Sequence, residues 1–298
     1  MRWVVSLASL SLAVAHAGCQ SDPGERPVEP AWSVDRQALL NMMTEHEVPG
    51  LAVAVSYDGV DRFYNFGVLD REAGRAVAEV AIFEIGSVSM VFTATLAALA
   101  EQEGVLSLDA PIGEYMDELA GTPLGDVPVY HLATHTAGGF PLQLPGGIDT
   151  EASLFEYYRS WEPEFPAGTR RHYANPSIGL LGLVVARVKG ESFRELAEHG
   201  LFAQMRLEST FIRVPDEAGD RYAWGHNRRG ERVRVNPGLL ADEAYGVKTT
   251  SRDLLKALRL NLNREVSNRP LGRAVRRTHV GHFDVEHFQQ ALIWDKFD

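Results

Sequence analysis

Ser87 lies in Phe83-Glu84-Ile85-Gly86-Ser87-Val88-Ser89-Met90, at the mouth of an alanine-rich stretch that reads as a helix from Ser87 to Glu103. A serine in that place offers a hydroxyl nucleophile, and its backbone amide sits at the positive end of a helix dipole, suited to stabilising an oxyanion. The same place also suits a capping serine, and this stretch alone leaves both readings open. A second candidate is Tyr173-Ala174-Asn175, just after Pro166-Ala167-Gly168 and just before another helical stretch. Side chains two apart on a turn can face one cleft. There the phenol can relay protons, and the amide can hold a substrate carbonyl or the ammonium of a base. Taken alone the pair is not specific. The ten histidines include no His-Glu-x-x-His, and no paired Cys/His spacing occurs, so no metal site is expected. The single cysteine, Cys19, excludes an intramolecular disulfide and a Cys-based zinc site.

These residues need a frame, and hydrophobic periodicity supplies one. Asp35 to Glu45 has Leu39, Leu40, Met42 and Met43 at helical spacing, stopped by Pro49-Gly50. Leu51 to Val55 and Arg62 to Phe66 read as antiparallel strands turning at Asp58-Gly59. The Ala-rich helix puts Val91, Phe92, Leu96 and Leu99 on one side, with Gly104 as C-cap. Further helices are expected at Ser177–Val188, Glu191–Gln204 and Ser251–Leu262, and a lone strand from Phe288. Strands, then helices, then one strand is an α+β or α/β layout whose sheet is short of partners.

The 298 residues carry 29 Lys+Arg against 40 Asp+Glu, a net charge of −11, with no basic block of the kind that binds nucleic acid. Hydrophobic residues make up 45% and charged ones 23%, a globular composition. The chain opens like an export signal: one charge at Arg2, an apolar run from Val4 to Val14, then the small-x-small Ala15-His16-Ala17. That run is short of the ~20 apolar residues that span a bilayer. Residues 1–17 are thus expected to be a signal peptide, 18–33 a flexible leader, and 34–298 the catalytic domain. The expected location is the periplasm. Cys19, directly after the run, leaves a lipoprotein anchor as the alternative.

Five motifs occur in order: Phe83-Glu84-Ile85-Gly86-Ser87, Ala137-Gly138-Gly139-Phe140-Pro141-Leu142-Gln143, Tyr173-Ala174-Asn175-Pro176-Ser177-Ile178-Gly179, Tyr222-Ala223-Trp224-Gly225 and Ala244-Tyr245-Gly246-Val247-Lys248. Together the chain resembles the class C serine β-lactamases, of the penicillin-recognising serine hydrolase superfamily, from about residue 34 to its end. The gaps from Ser87 to Gln143 and to Tyr173 fit that family too. The resemblance implies an antiparallel sheet flanked by helices, an all-helical region beside it, and an active site between them. It implies acyl transfer without a cofactor: Ser87 attacks the lactam carbonyl, and water then cleaves the acyl-enzyme. Tyr173 would act as proton relay or base. Gln143 and Asn175 would hold the side-chain amide of a β-lactam, and Tyr245 would wall the cleft. The expected partner is a β-lactam or peptidoglycan-like small molecule, bound by a monomer.

Two departures bear on activity. The family activates its serine with a lysine three residues later, and that position is Met90. Methionine matches the volume and helix propensity but has no proton to give or take. The family also carries a Lys-Thr/Ser-Gly triad on the strand lining the cleft, beyond Tyr245, and none occurs here. Lys248-Thr249-Thr250 belongs to the preceding motif, and His279-Val280-Gly281, which could imitate a His-x-Gly variant, precedes the final strand. The expectation is a C-terminally truncated class C-type β-lactamase with activity lost or strongly impaired, whose helices Ser87–Glu103 and Ser177–Val188 lose packing surface. The alternatives are a DD-peptidase or esterase of the superfamily, a non-catalytic pseudoenzyme that binds β-lactam or peptidoglycan, and a broken gene product that folds poorly.

Overall fold

The computed structural model describes residues 34–235, 237–262 and 269–297. The signal peptide, the leader and Cys19 lie outside the described residues. Two compact units divide at Val48 and Pro49. The described part of the first is α1 (Arg36–Glu45), capped by Asp35, whose carboxylate accepts the Ala38 N–H at 3.0 Å.

The second unit opens with a hairpin, β1 (Gly50–Tyr57) and β2 (Val60–Gly67), in the register Gly50↔Gly67 to Tyr57↔Val60. Its two-residue turn needs positive φ at both positions, and Asp58 (φ 48°) and Gly59 (φ 79°) provide it. Next come β3 (Phe83–Glu84), a 3₁₀ turn at Gly86–Ser89, and α2 (Met90–Gln102). The Ala-rich helix therefore begins at Met90, not Ser87. Its C-cap is Glu103, with Gly104 (φ 76°) in the left-handed position just beyond. α3 (Tyr130–Ala133) and α4 (Glu151–Ser160) follow; α4 starts from a Thr150/Ser153 capping box.

α5 runs Asn175–Lys189, two residues earlier than the periodicity suggests, because Pro176 suits a helix's first turn. The expected Glu191–Gln204 helix is a short α6 (Phe193–Glu195) that widens into a π-helical turn over Leu196–Phe202. Then come β4 (Gly225–His226), β5 (Arg232–Val233), α7 (Ala241–Ala244), β6 (Lys248–Thr249), α8 (Ser251–Leu262) and α9 (Pro270–Thr278). The end is not a lone strand. Phe283–Val285 (β7), Phe288–Gln290 (β8) and Asp295–Lys296 (β9) form an antiparallel meander in that order. The other sheets described are pairs: β1–β2, β3–β6 and β4–β5.

The main core is helical, centred on Phe92, Leu132, Tyr158, Leu180, Val184 and Phe202. α2 packs against α5 and α9, and α7 wedges between α2 and α5. Nearly every residue of α2 and of the first half of α5 is buried, so these helices do not lose the packing surface that the sequence suggested. The open place is elsewhere. A largely apolar groove of about 310 Å³ lies between β1 and α8, lined by Leu51, Ala52, Phe83, Leu254 and Leu258.

Two glycines of α5 let α7 approach. A Cβ on Gly179 would stand 2.5 Å from Leu240 Cβ, and one on Gly182 would stand 2.4 Å from Glu243 Cγ. Leu240 has little room to yield, since it holds a left-handed φ of 66°. Gly179→Ala is expected to cost about 1–3 kcal/mol, the range for overpacking a core. Urea unfolding checks it: an unchanged midpoint would mean that α7 can shift freely.

Candidate active site

The pairing of β3 with β6 (Phe83↔Thr249, Glu84↔Lys248) fixes where the chain leaves the sheet for α2. The turn between them is pinned from within: buried Ser89 accepts the Val247 N–H at 3.0 Å, and the Ile85 N–H donates to the Val247 carbonyl at 3.2 Å. Ser87 is left exposed on the outside of this turn and caps nothing. Three residues on, Met90 points inward and is only 1% exposed. It packs with Ile178 and Ala244, and Tyr173, Tyr245 and Ile293 lie against this cluster.

Tyr173 joins the serine to the methionine. Its hydroxyl donates to Met90 Sδ at 3.2 Å. Burial pushes the phenol pKa above its ordinary value of 10, against the pull of a hydrogen bond from Ser87 and of the nearby Arg171 guanidinium. Arg171 is the cation at this end of the site. Its Cζ lies 5.9 Å from the Tyr173 ring centre, its Nε bonds Gln290, and its Nη2 is 3.6 Å from Asp295 on β9. Sequence reasoning missed Arg171, because an arginine before a Tyr-x-Asn turn carries no signal until β8 and β9 fold back onto it.

Asn175 opens α5, its N–H bonded to the Leu142 carbonyl at 3.0 Å. Its Oδ1 is buried with no hydrogen-bond partner among the described residues. A stranded amide acceptor costs about 1–3 kcal/mol, so this one is available to a donor that enters. It lines a cavity of about 210 Å³ together with Gln143, Ile148, Leu239, Leu240 and Tyr245. Gln143, Asn175 and Tyr245 thus share one cavity, Ser87 is near enough to Tyr173 to pull its phenol pKa down, and Tyr173 and Tyr245 flank Met90. Tyr245 belongs both to the cavity and to the Met90 cluster, and so links the two groups.

Neither imitation motif lines the cavity. Lys248 Nζ donates to the Ile212 and Gly246 carbonyls at 2.8 and 2.7 Å, and burial lowers its pKa. His279 ends α9, its Nε2 3.1 Å from Asn261 Oδ1 and its ring edge-on to Trp294. A buried acid that the motifs did not flag, Glu243 on α7, stands behind Tyr245. Desolvation raises its pKa to about 7. Among the described residues no cluster of His, Cys, Asp and Glu could hold a metal ion, and no helix is long and apolar enough to cross a membrane.

The family model described as beta-lactamase matches residues 36–292. A curated β-lactamase of Lysobacter lactamgenus is 40% identical over 261 residues, 88% of this chain and 68% of its own length. One from Pseudomonas fluorescens is 39% identical over 86% of this chain and 72% of its own. Among solved structures, a β-lactamase/D-alanine carboxypeptidase from Pseudomonas syringae superposes with a TM-score of 0.85 at 44% identity, covering 87% of this chain and 73% of that one. A class C β-lactamase from Rhodobacter sphaeroides gives 0.83 at 42% identity, with coverages of 87% and 74%. A class C enzyme solved in complex with cefoxitin gives 0.84 at 36%, with coverages of 87% and 73%. The chain belongs to the β-lactamase family, and its fold is that of the class C serine enzymes.

Proposed function

We propose that this protein keeps the ligand cleft of a class C-type acyl-transfer site, with Ser87 as the nucleophile position, while hydrolysis is lost or strongly impaired. The observation that carries this is the 3.2 Å contact from the Tyr173 hydroxyl to Met90 Sδ. A thioether can accept a hydrogen bond but cannot take up the proton or supply a charge. The Tyr173 hydroxyl beside Ser87 therefore points its proton at an atom that passes nothing on. A phenol with a raised pKa is neutral at pH 7 and makes no base for Ser87. General-base assistance is worth about 10²–10⁴ in rate.

The ligand is a β-lactam whose side-chain amide meets Gln143 and the unpartnered Asn175 Oδ1, with Tyr245 as a wall. The cefoxitin complex of a class C relative supports that class of ligand. A D-alanyl peptide is the second reading, favoured by the carboxypeptidase in the name of the Pseudomonas syringae neighbour. Intact-mass measurement after incubation with a penicillin tests the proposal. The expected result is intact drug with either unmodified protein or a persistent adduct that Ser87→Ala abolishes. Catalytic disappearance of the drug would overturn it.

Export to the periplasm belongs to the same reading, supported by the charged start, the apolar run and Ala15-His16-Ala17. Fractionation of bacterial cells expressing the full chain should yield a periplasmic protein whose first residue is Gly18. Palmitate incorporation would point to the Cys19 anchor instead.

A further inference from the structure

His135 is nearly sealed from solvent, and the mechanism above makes no use of it. It sits just past α3 at φ 58°, a left-handed conformation uncommon for a residue with a side chain. From there it grips the Tyr173 turn at three points. Its carbonyl accepts the His172 N–H at 2.7 Å, its Nδ1 accepts the Ala174 N–H at 3.3 Å, and its ring stacks on the Tyr173 ring with centres 4.4 Å apart and planes 38° from parallel.

The backbone on each side of the tyrosine and the face of its ring are thus held by one residue. We propose that His135 is the positioning residue for Tyr173, fixing the pose of the phenol over Ser87 through an uncharged imidazole that carries its proton on Nε2. This rests on the reading of Tyr173 as the group that meets the proton of Ser87.

The alternative role, a base replacing the absent lysine, does not fit the geometry. Nδ1 is already engaged by a backbone N–H, and the ring lies over the ring of the tyrosine. Burial first, then the charges of Arg171 and His172, hold the imidazole pKa down to about 3, so it stays neutral at any working pH. Neutrality is what the position needs. A charged ring could not accept the Ala174 N–H, and that amide would be left unpaired at a buried turn.

The test reads the phenol directly and needs no turnover. The chain has nine tyrosines, so Tyr173 is isolated by difference titration at the phenolate absorbance against Tyr173→Phe. His135→Asn tolerates the left-handed backbone and offers an oxygen for the Ala174 N–H, but it lacks the ring. Water then reaches the phenol face, and the raised Tyr173 titration should move down towards its ordinary value of 10. His135→Phe keeps the ring and loses the acceptor, so the titration should stay where it is while the unfolding midpoint drops. In a Met90→Lys background, His135→Asn should slow acylation of Ser87 by penicillin about 10-fold, the loss expected of a mis-set group. The inference fails if His135→Asn leaves the titration unchanged, or if both variants shift it equally. If His135→Asn does not fold, His135→Phe decides: a phenol that moves to 10 overturns the proposal. The titration outcome is independent of whether any lactam reacts, so it fails or stands separately from the proposed function.

Discussion

Met90→Lys is expected to raise the rate at which a penicillin acylates Ser87 by about 10²–10⁴, the range of general-base assistance. The phenol of Tyr173 now donates to Met90 Sδ. An ammonium would instead donate to the phenol oxygen and lower its pKa. The gain has a cost. Position 90 is 1% exposed among Ile178, Ala244 and two tyrosine rings, so a lysine there is desolvated and the thermal midpoint should fall. Nor should the variant of this 298-residue chain reach the cephalosporin hydrolysis of class C enzymes that carry a Lys-Thr/Ser-Gly triad. These 298 residues hold no Lys-Thr-Gly or Lys-Ser-Gly to supply a second cation. Stopped-flow acylation and a chromogenic cephalosporin separate the two statements. An unchanged acylation rate would mean that Met90 is not what limits Ser87, and full hydrolysis would mean that another group replaces the triad.

Glu243→Gln is expected to abolish a pH-dependent loss of stability between about pH 4.5 and pH 7. Desolvation raises the carboxyl from 4.5 to about 7, with the neighbouring Asp242 adding to the rise and its own backbone hydrogen bond opposing it. An acid whose folded pKa is raised binds more protons folded than unfolded in that window. Stability therefore falls as pH rises through it and is level above about 7. A shift of this size corresponds to roughly 3 kcal/mol. The glutamine variant, which has no charge to desolvate, should exceed the parent at pH 8 by about 1–3 kcal/mol and differ little at pH 4.5. Urea titrations of both proteins at the two pH values decide it. A constant difference between them would mean that Glu243 does not titrate there. Because α7 is flanked by Leu240 and Tyr245, which line the cavity, the same change should steady the wall of the ligand cavity.

Much of the site was legible in the chain because its motifs are local. Ser87 and Met90 share one turn, Tyr173 and Asn175 share another, and residue type at short spacing states what each can do. The hairpin was legible for the same reason: Asp58-Gly59 dictates its own turn and therefore its register. Boundaries were less so. Ser87 lies in a 3₁₀ turn because Ser89 and Ile85 are bonded to Val247, 158 and 162 residues away, and no local propensity encodes those bonds. Three things were decided by tertiary structure alone. Met90 meets the Tyr173 hydroxyl because α2 and the 172–174 turn close on each other. Asn175 Oδ1 is stranded where distant segments, residues 143–148 and 238–240, close around it to form the cavity. His135 becomes the clamp of Tyr173 because its left-handed backbone turns an ordinary histidine back onto that ring. The sequence determines which chemistries are present and which proton carrier is absent. Contacts between residues far apart in the chain decide the environment of each group, since burial and hydrogen-bond partners, not residue type, set its pKa and pose.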